Sequence, residues 1–189
     1  ATVDLIINKT GSGGITFGGN SSFDNVTVTD GYLDIGAYTF TAGNTISIAS
    51  DGTLKIPNSG TFNADGQLTT SGEIDFTGTG SQGDLICSNT SANTFGTLDA
   101  AAGTVTFDGG SSQAIPAETF FNLKNSNTNG LTMSGSATVN GELNLNVAAD
   151  ITTGANTLTI GTSGSIANAA DDRHINVDNT SGFLAKSTN

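Results

Sequence analysis

The sequence predicts an all-β fold, a parallel β-helix (β-solenoid) of short strands, with a β-sandwich or jelly roll as the alternative. Three observations point there: helical periodicity is almost absent, glycine interrupts the chain every few residues, and one short unit keeps returning. The unit is glycine, one residue, then apolar–polar–apolar. It reads Gly31-Tyr32-Leu33-Asp34-Ile35, Gly52-Thr53-Leu54-Lys55-Ile56, Gly72-Glu73-Ile74-Asp75-Phe76, Gly103-Thr104-Val105-Thr106-Phe107 and Gly141-Glu142-Leu143-Asn144-Leu145. Asn156-Thr157-Leu158-Thr159-Ile160 repeats it with asparagine leading.

Period two places Leu33 and Ile35 on one face and Asp34 on the other, so each unit is a short strand with one wet side. The leading glycine or asparagine is expected to supply the positive φ of a tight corner. Ala1 to Asn8, where Val3, Leu5 and Ile7 alternate with Asp4 and Ile6, is expected to add a strand. Strand starts lie about six to about twelve residues apart, too close for intervening helices.

Self-similarity favours the solenoid over the sandwich. Gly14-Ile15-Thr16-Phe17 matches Thr104-Val105-Thr106-Phe107, and Phe23-Asp24-Asn25-Val26 answers to Phe120-Phe121-Asn122-Leu123. Gly31–Ile35 then matches Gly141–Leu145, and Asn44–Ile48 matches Asn156–Ile160. The order holds while the offset grows from about 90 to about 112 residues, which corner insertions into a stack allow and fixed hairpin registers resist. Residues 1–189 therefore read as a single continuous solenoid with an internal repeat, 14–102 and 103–189. Coils of roughly 20 residues would give about nine turns, spaced about 4.8 Å apart.

Composition fits this. Apolar residues make up 35% of the 189, which a thin core tolerates, and charged residues only 12%, so little repulsion keeps the chain open. Five Lys and Arg stand against 17 acidic residues, a formal charge of −12. The five, Lys9, Lys55, Lys124, Arg173 and Lys186, are scattered, which argues against nucleic acid and anionic membranes as partners. No apolar run is long enough to insert across a bilayer as a helix. Ala1 opens on no basic-then-apolar leader, so any leader is expected to have been removed or to lie outside this sequence. The lone Cys87, in Asp84-Leu85-Ile86-Cys87, reads as a small buried hydrophobe.

The second half also resembles a known family. Gly103–Gly109, Phe120–Leu123, Val139–Leu145 and Gly154–Gly161 form an ordered series, closed by Arg173–Asp178 and Gly182–Lys186. This series is similar to the repetitive β-helical modules of large surface and secreted adhesin-like proteins of gliding-type Gram-negative bacteria, many exported by the type IX system. The resemblance covers roughly residues 103–189 well and the first half loosely. It implies an extracellular, cell-surface stalk or adhesin, without an active site, cut from a longer protein.

Candidate chemistry is sparse. Asp171-Asp172-Arg173-His174 is the one constellation of acid, base and histidine, the kind that cleaves glycans when it converges. Neighbours on a strand point to opposite faces, so Arg173 and His174 are expected not to share a site, and a solvated corner is the simpler account. Gly11-Ser12-Gly13-Gly14 lacks the lysine and helix of a phosphate loop. Asp51, Asp65, Asp108, Asp171 and Asp172 lie at Gly-rich corners and leave Ca²⁺ as a weak candidate; no cofactor is expected. Sequons occur at Asn8, Asn20, Asn25, Asn89 and Asn179, as an Asn- and Thr-rich chain produces by chance. Thr27-Val28-Thr29, Thr39-Phe40-Thr41, Thr104-Val105-Thr106 and Thr157-Leu158-Thr159 would suit an ice-binding face if they aligned.

The expected function is structural or adhesive rather than enzymatic. Partners would be other subunits, end to end in a filament, or surface glycans. A carbohydrate-binding or carbohydrate-active β-helix and an ice-binding solenoid are the alternatives.

Overall fold

The structure is a computed structural model that describes residues 3–76, 83–99, 103–177 and 181–188. It is all-β, and every ladder between described strands is parallel. A sandwich of antiparallel hairpins is thereby excluded; the fold is a β-solenoid. No helix among the described residues is long and apolar enough to cross a membrane. The turns number about eight rather than nine. Some coils exceed 20 residues: side-chain bonds between neighbouring coils join residues up to 25 apart. The chain divides into two compact units, Ala1–Asn89 with Asn93–Gly103 and Thr90–Ala92 with Thr104–Asn189.

In the first unit, Asp4–Asn8 and Gly14–Thr16 both lie beside the ten-residue strand Asn25–Asp34. That strand pairs with Ile46–Lys55, which in turn pairs with Leu68–Thr70 and Glu73–Asp75. A second ladder stacks Ser21–Phe23, Thr39–Ala42, Thr61–Ala64 and Asp84–Cys87. Alternation fills the interior: Val26, Val28, Leu33, Ile35, Ile46, Ile48, Leu54 and Ile56 are all buried. On the second ladder Phe40 and Phe62 stack inward at 5.3 Å with rings 9° apart. Phe17 and Phe23 extend this aromatic column. The adjoining inward column is small: Ala42, Ala64 and Cys87 follow one another in register. Large and small columns interdigitate, which is why Cys87 is buried, as its strand context predicted.

In the second unit each coil is three separate strands. One sheet stacks Thr104–Phe107, Asn122–Asn125, Glu142–Leu145 and Ser165–Ala167. A second stacks Gln113–Ile115, Leu131–Met133, Ile151–Thr152 and Ile175–Asn176. A third stacks Thr119–Phe120, Ala137–Val139, Thr157–Ile160 and Phe183–Lys186. Val105, Leu123 and Leu143 make a buried aliphatic column, and Ile166 continues it at 39% exposure.

The corner glycines need a corrected explanation. Gly31 and Gly103 do carry the expected positive φ, 86° and 81°. Asn156, whose side chain bonds the Met133 carbonyl, does not, and neither do Gly52, Gly72 and Gly141. There the constraint is the coil beneath: a Cβ on Gly52 would lie 2.6 Å from the Val28 carbonyl oxygen, and one on Gly164 2.8 Å from that of Val139. Coils stacked backbone to backbone leave no room for a side chain at such a corner.

Asparagine and threonine, so common in the sequence, bind the coils together. The Asn20 and Asn25 carbonyl oxygens accept from the Thr39 and Thr45 N–H groups of the next coil. Asn122 does the same for Glu142, and the Ser136 hydroxyl for Thr157. Each side chain satisfies a backbone donor where the corner interrupts the ladder.

Candidate functional site

The parallel register turns the recurring unit into columns. Its glycines stack, Gly31 beside Gly52, and its outward positions make two rows. Tyr32 stands beside Thr53, Thr53 beside Glu73, and Glu73 beside Thr97. Asp34 stands beside Lys55, and Lys55 beside Asp75. Asp30 and Asp51 form a third row. A groove of about 260 Å³ opens over these rows, its walls formed by Ser12, Tyr32, Asp51, Lys55, Glu73 and Asp75. A side chain on Gly14 would run into the Tyr32 ring; its absence lets the ring lie against the neighbouring rung.

Lys55 sits between two carboxylates by register, yet its Nζ lies over the Tyr32 ring, 4.6 Å from the centroid. The ring's negative face holds the ammonium. Among the described residues, no carboxylate comes within ion-pair distance of Lys55; the ion pairs, Arg173–Asp172 and His174–Asp150, both belong to the second unit. The groove therefore keeps a surplus of negative charge. Partial burial pushes the Asp75 carboxyl above its ordinary range, and Glu73, Asp99 and Asp34 push the same way, while Lys55 opposes them. A partly buried carboxylate without an ion pair, in a groove beside an aromatic ring, makes this the candidate binding site of the first unit.

The sequence-level candidates disperse. The Arg173 Nε donates to the Asp172 carboxylate at 2.9 Å, and this bond leads in lowering the Asp172 pKa. The His174 ring instead reaches Asp150 at 3.2 Å, and its backbone N–H donates to the same carboxylate oxygen. Asp51, Asp65, Asp108, Asp171 and Asp172 do not converge, and no group of three or more His, Cys, Asp or Glu among the described residues is placed to hold a metal. Asn20 and Asn25 serve as corner acceptors, Asn89 is buried and donates to the Gly66 carbonyl, and Asn179 lies outside the described residues. Of the Thr-x-Thr motifs, Thr27 and Thr39 fall on different sheets and Thr106 is buried, so they make no common array.

The groove residues were overlooked in the sequence, although the signal was present. The second and fourth positions of three successive units are Tyr32, Thr53, Glu73 and Asp34, Lys55, Asp75. Written one beneath another, all but Asp34 line the groove.

No family model, curated protein or solved structure matches the chain.

Proposed function

We propose that the chain is an extracellular structural and adhesive β-solenoid module of a bacterial surface protein. Its stacked coils form a stiff scaffold, and its outward polar rows contact surface glycans. The observation that carries this reading is the groove over Tyr32, Lys55, Glu73 and Asp75, where hydrogen-bonding groups repeat once per rung on a rigid parallel sheet. Sites on strands hold their groups more firmly than sites on loops. The test is attachment of beads carrying the full chain to a panel of immobilised polysaccharides under flow. Retention on at least one polysaccharide, lost in Tyr32→Ser, supports the reading. Retention on none sinks it.

End-to-end assembly is a second reading, favoured by exposed apolar side chains on edge strands. Ile6 is 70% exposed on Asp4–Asn8, and Leu184 is 44% exposed beside an apolar cleft of about 400 Å³ that includes Ile166. Unpaired strand edges recruit further strands. Lys186 works against this. It occupies the position beside inward-facing Ile160, and its ammonium donates to the Gly161, Thr162 and Gly164 carbonyls, a charge of the kind that blunts edges. Sedimentation velocity across a concentration series decides: growth with concentration, enhanced in Lys186→Met, supports assembly, and a single monomer boundary in both proteins rejects it.

A further inference from the structure

We propose that the groove takes a glycan bearing free amino groups, a glucosamine-type polymer laid across the rungs; this rests on the adhesive reading above. Three independent features carry it. The first is the cavity itself, about 260 Å³, open along the outward face. The second is the Tyr32 ring, already an ammonium seat for Lys55 at 4.6 Å. The third is a polar group on every rung of the groove: Tyr32, then Thr53 with Lys55, then Glu73 with Asp75. Rungs recur about every 4.8 Å, close to the length of one pyranose in an extended polymer, so successive sugars meet successive rungs.

The charge of the groove decides which glycan. Lys55 forms no ion pair with the neighbouring carboxylates, so Glu73 and Asp75 face the cavity as acceptors of charge-assisted hydrogen bonds. An anionic polymer would be repelled. A neutral one would gain hydrogen bonds but leave the surplus charge unanswered. A divalent ion requires converging oxygens, and the described carboxylates do not converge. A polymer with one ammonium per sugar brings compact cations to the rung of Glu73 and Asp75, and its hydroxyls meet Thr53 on the rung that carries Lys55. A basic peptide fits less well, because these two rows offer no aliphatic anchor for its side chains.

Calorimetric titration of the full chain with glucosamine hexamer, N-acetylglucosamine hexamer, cellohexaose and hexalysine tests this at low and moderate salt. Glucosamine hexamer is expected to bind about tenfold or more tighter than the acetylated and neutral hexamers, with affinity falling as salt rises. Glu73→Gln with Asp75→Asn should weaken it about tenfold or more. Both changes are nearly isosteric, and an unchanged urea midpoint certifies the fold. Glu142→Gln, the same loss of charge on an outward position of another sheet, should leave the affinity alone. The inference is overturned if Glu142→Gln weakens binding as much, or if hexalysine matches the glucosamine hexamer and is lost in the same double variant. Equal binding of the acetylated and free hexamers also overturns it, while leaving the adhesive reading intact. If no hexamer binds, the inference fails, and the polysaccharide panel decides separately whether adhesion fails with it.

Discussion

The first unit carries its chain around the glycine corner without leaving the ladder. Asn25–Asp34 and Ile46–Lys55 each run ten residues, with one register shift between Val28 and Asp30. The second unit breaks each coil into three strands of two to four residues, and its corners are filled differently. Asn125 takes an inward position between Phe107 and Leu145, wholly buried. Its amide donates to the Ala149 carbonyl, and its Oδ1 accepts from the Asn127 N–H. The Asn127 amide donates in turn to the Gln113 Oε1 and the Ser111 carbonyl. The first unit sets aromatic and aliphatic columns over its glycine corner and adds a buried amide pair, Asn89 and Asn93. The second has aliphatic columns, its own tight glycine corners at Gly141 and Gly164, and the longer amide chain through Asn125, Asn127 and Gln113. The same coil can be closed by letting backbones touch or by inserting side chains that replace the missing backbone bonds.

The largest test of that contrast is truncation of the two cores. Phe62→Ala removes a fully buried ring from the aromatic column and is expected to cost about 3–5 kcal/mol. Leu143→Ala removes one aliphatic rung of the second unit and is expected to cost about 2–5 kcal/mol. Urea unfolding followed by far-UV circular dichroism reads both. If the units melt separately, each substitution shifts only its own transition. Equal displacement of a single transition by both would show instead that the units unfold as one.

The corners come next. Gly52→Ala and Gly164→Ala each push a methyl against a carbonyl of the coil beneath and should cost about 1–3 kcal/mol by overpacking. Asn127→Ala should cost a similar amount, about 1–3 kcal/mol, for another reason: the Asn129 N–H and the Ser111 carbonyl lose their bonds to its amide. Hydrogen exchange separates the mechanisms. The glycine variants should loosen the ladder along the stack, whereas Asn127→Ala should expose amides of its own corner only.

These corners also mark how far the sequence could be read. Strand positions, inward faces and the buried state of Cys87 follow from period two, because Leu33, Ile35, Leu54 and Ile56 announce their side of the sheet locally. Register does not. Neighbouring coils are joined by bonds spanning 19 residues at Asn20 and 25 at Asn93. Which polar residue stands above which is thus fixed by corner lengths that carry no periodic signal. That is why the row Asp34, Lys55, Asp75 was hidden although each member was seen. Asn125 was hidden for another reason: an asparagine in an inward position reads as a break in the pattern until Asn127 and Ala149 are seen to satisfy it. The adjacent motif at Asp171–His174 drew attention through proximity in sequence, yet it lies in a turn where Arg173 pairs with Asp172 while His174 turns to Asp150.

A smaller effect separates the units by pH. Burial, chiefly, raises the Asp75 carboxyl of the first unit and the Glu118 carboxyl of the second; a bond from the Thr119 N–H partly offsets the latter. In both cases the folded state holds the proton more tightly than the unfolded chain. The associated stability is fully present below the unfolded pKa and is lost as pH rises through the folded one, which lies above the ordinary carboxylate value. Asp75→Asn and Glu118→Gln should each flatten the pH dependence of the urea midpoint across that window. Asp75→Asn should do so more strongly at low salt, because three other carboxylates contribute to its shift while Glu118 is raised by burial alone. Equal salt dependence would show that the groove holds no surplus charge.

The smallest effect concerns Asp172. The Arg173 guanidinium beside it holds its carboxyl below the usual range, so the sign reverses: any stability it confers is present above the unfolded pKa and fades as pH falls through the folded one. Asp172 is exposed and Arg173 partly so, and such surface pairs between sequence neighbours contribute little to folding, because the unfolded chain can form the same contact. Asp172→Asn should therefore leave the urea midpoint unchanged at every pH while NMR shows the Arg173 Nε–H signal losing its carboxylate partner. A midpoint that moved as far as that of Asp75→Asn would mean that this corner is part of the scaffold and not a solvated turn. The contrast between a groove with unpaired carboxylates and an ion pair without structural weight would then have to be redrawn.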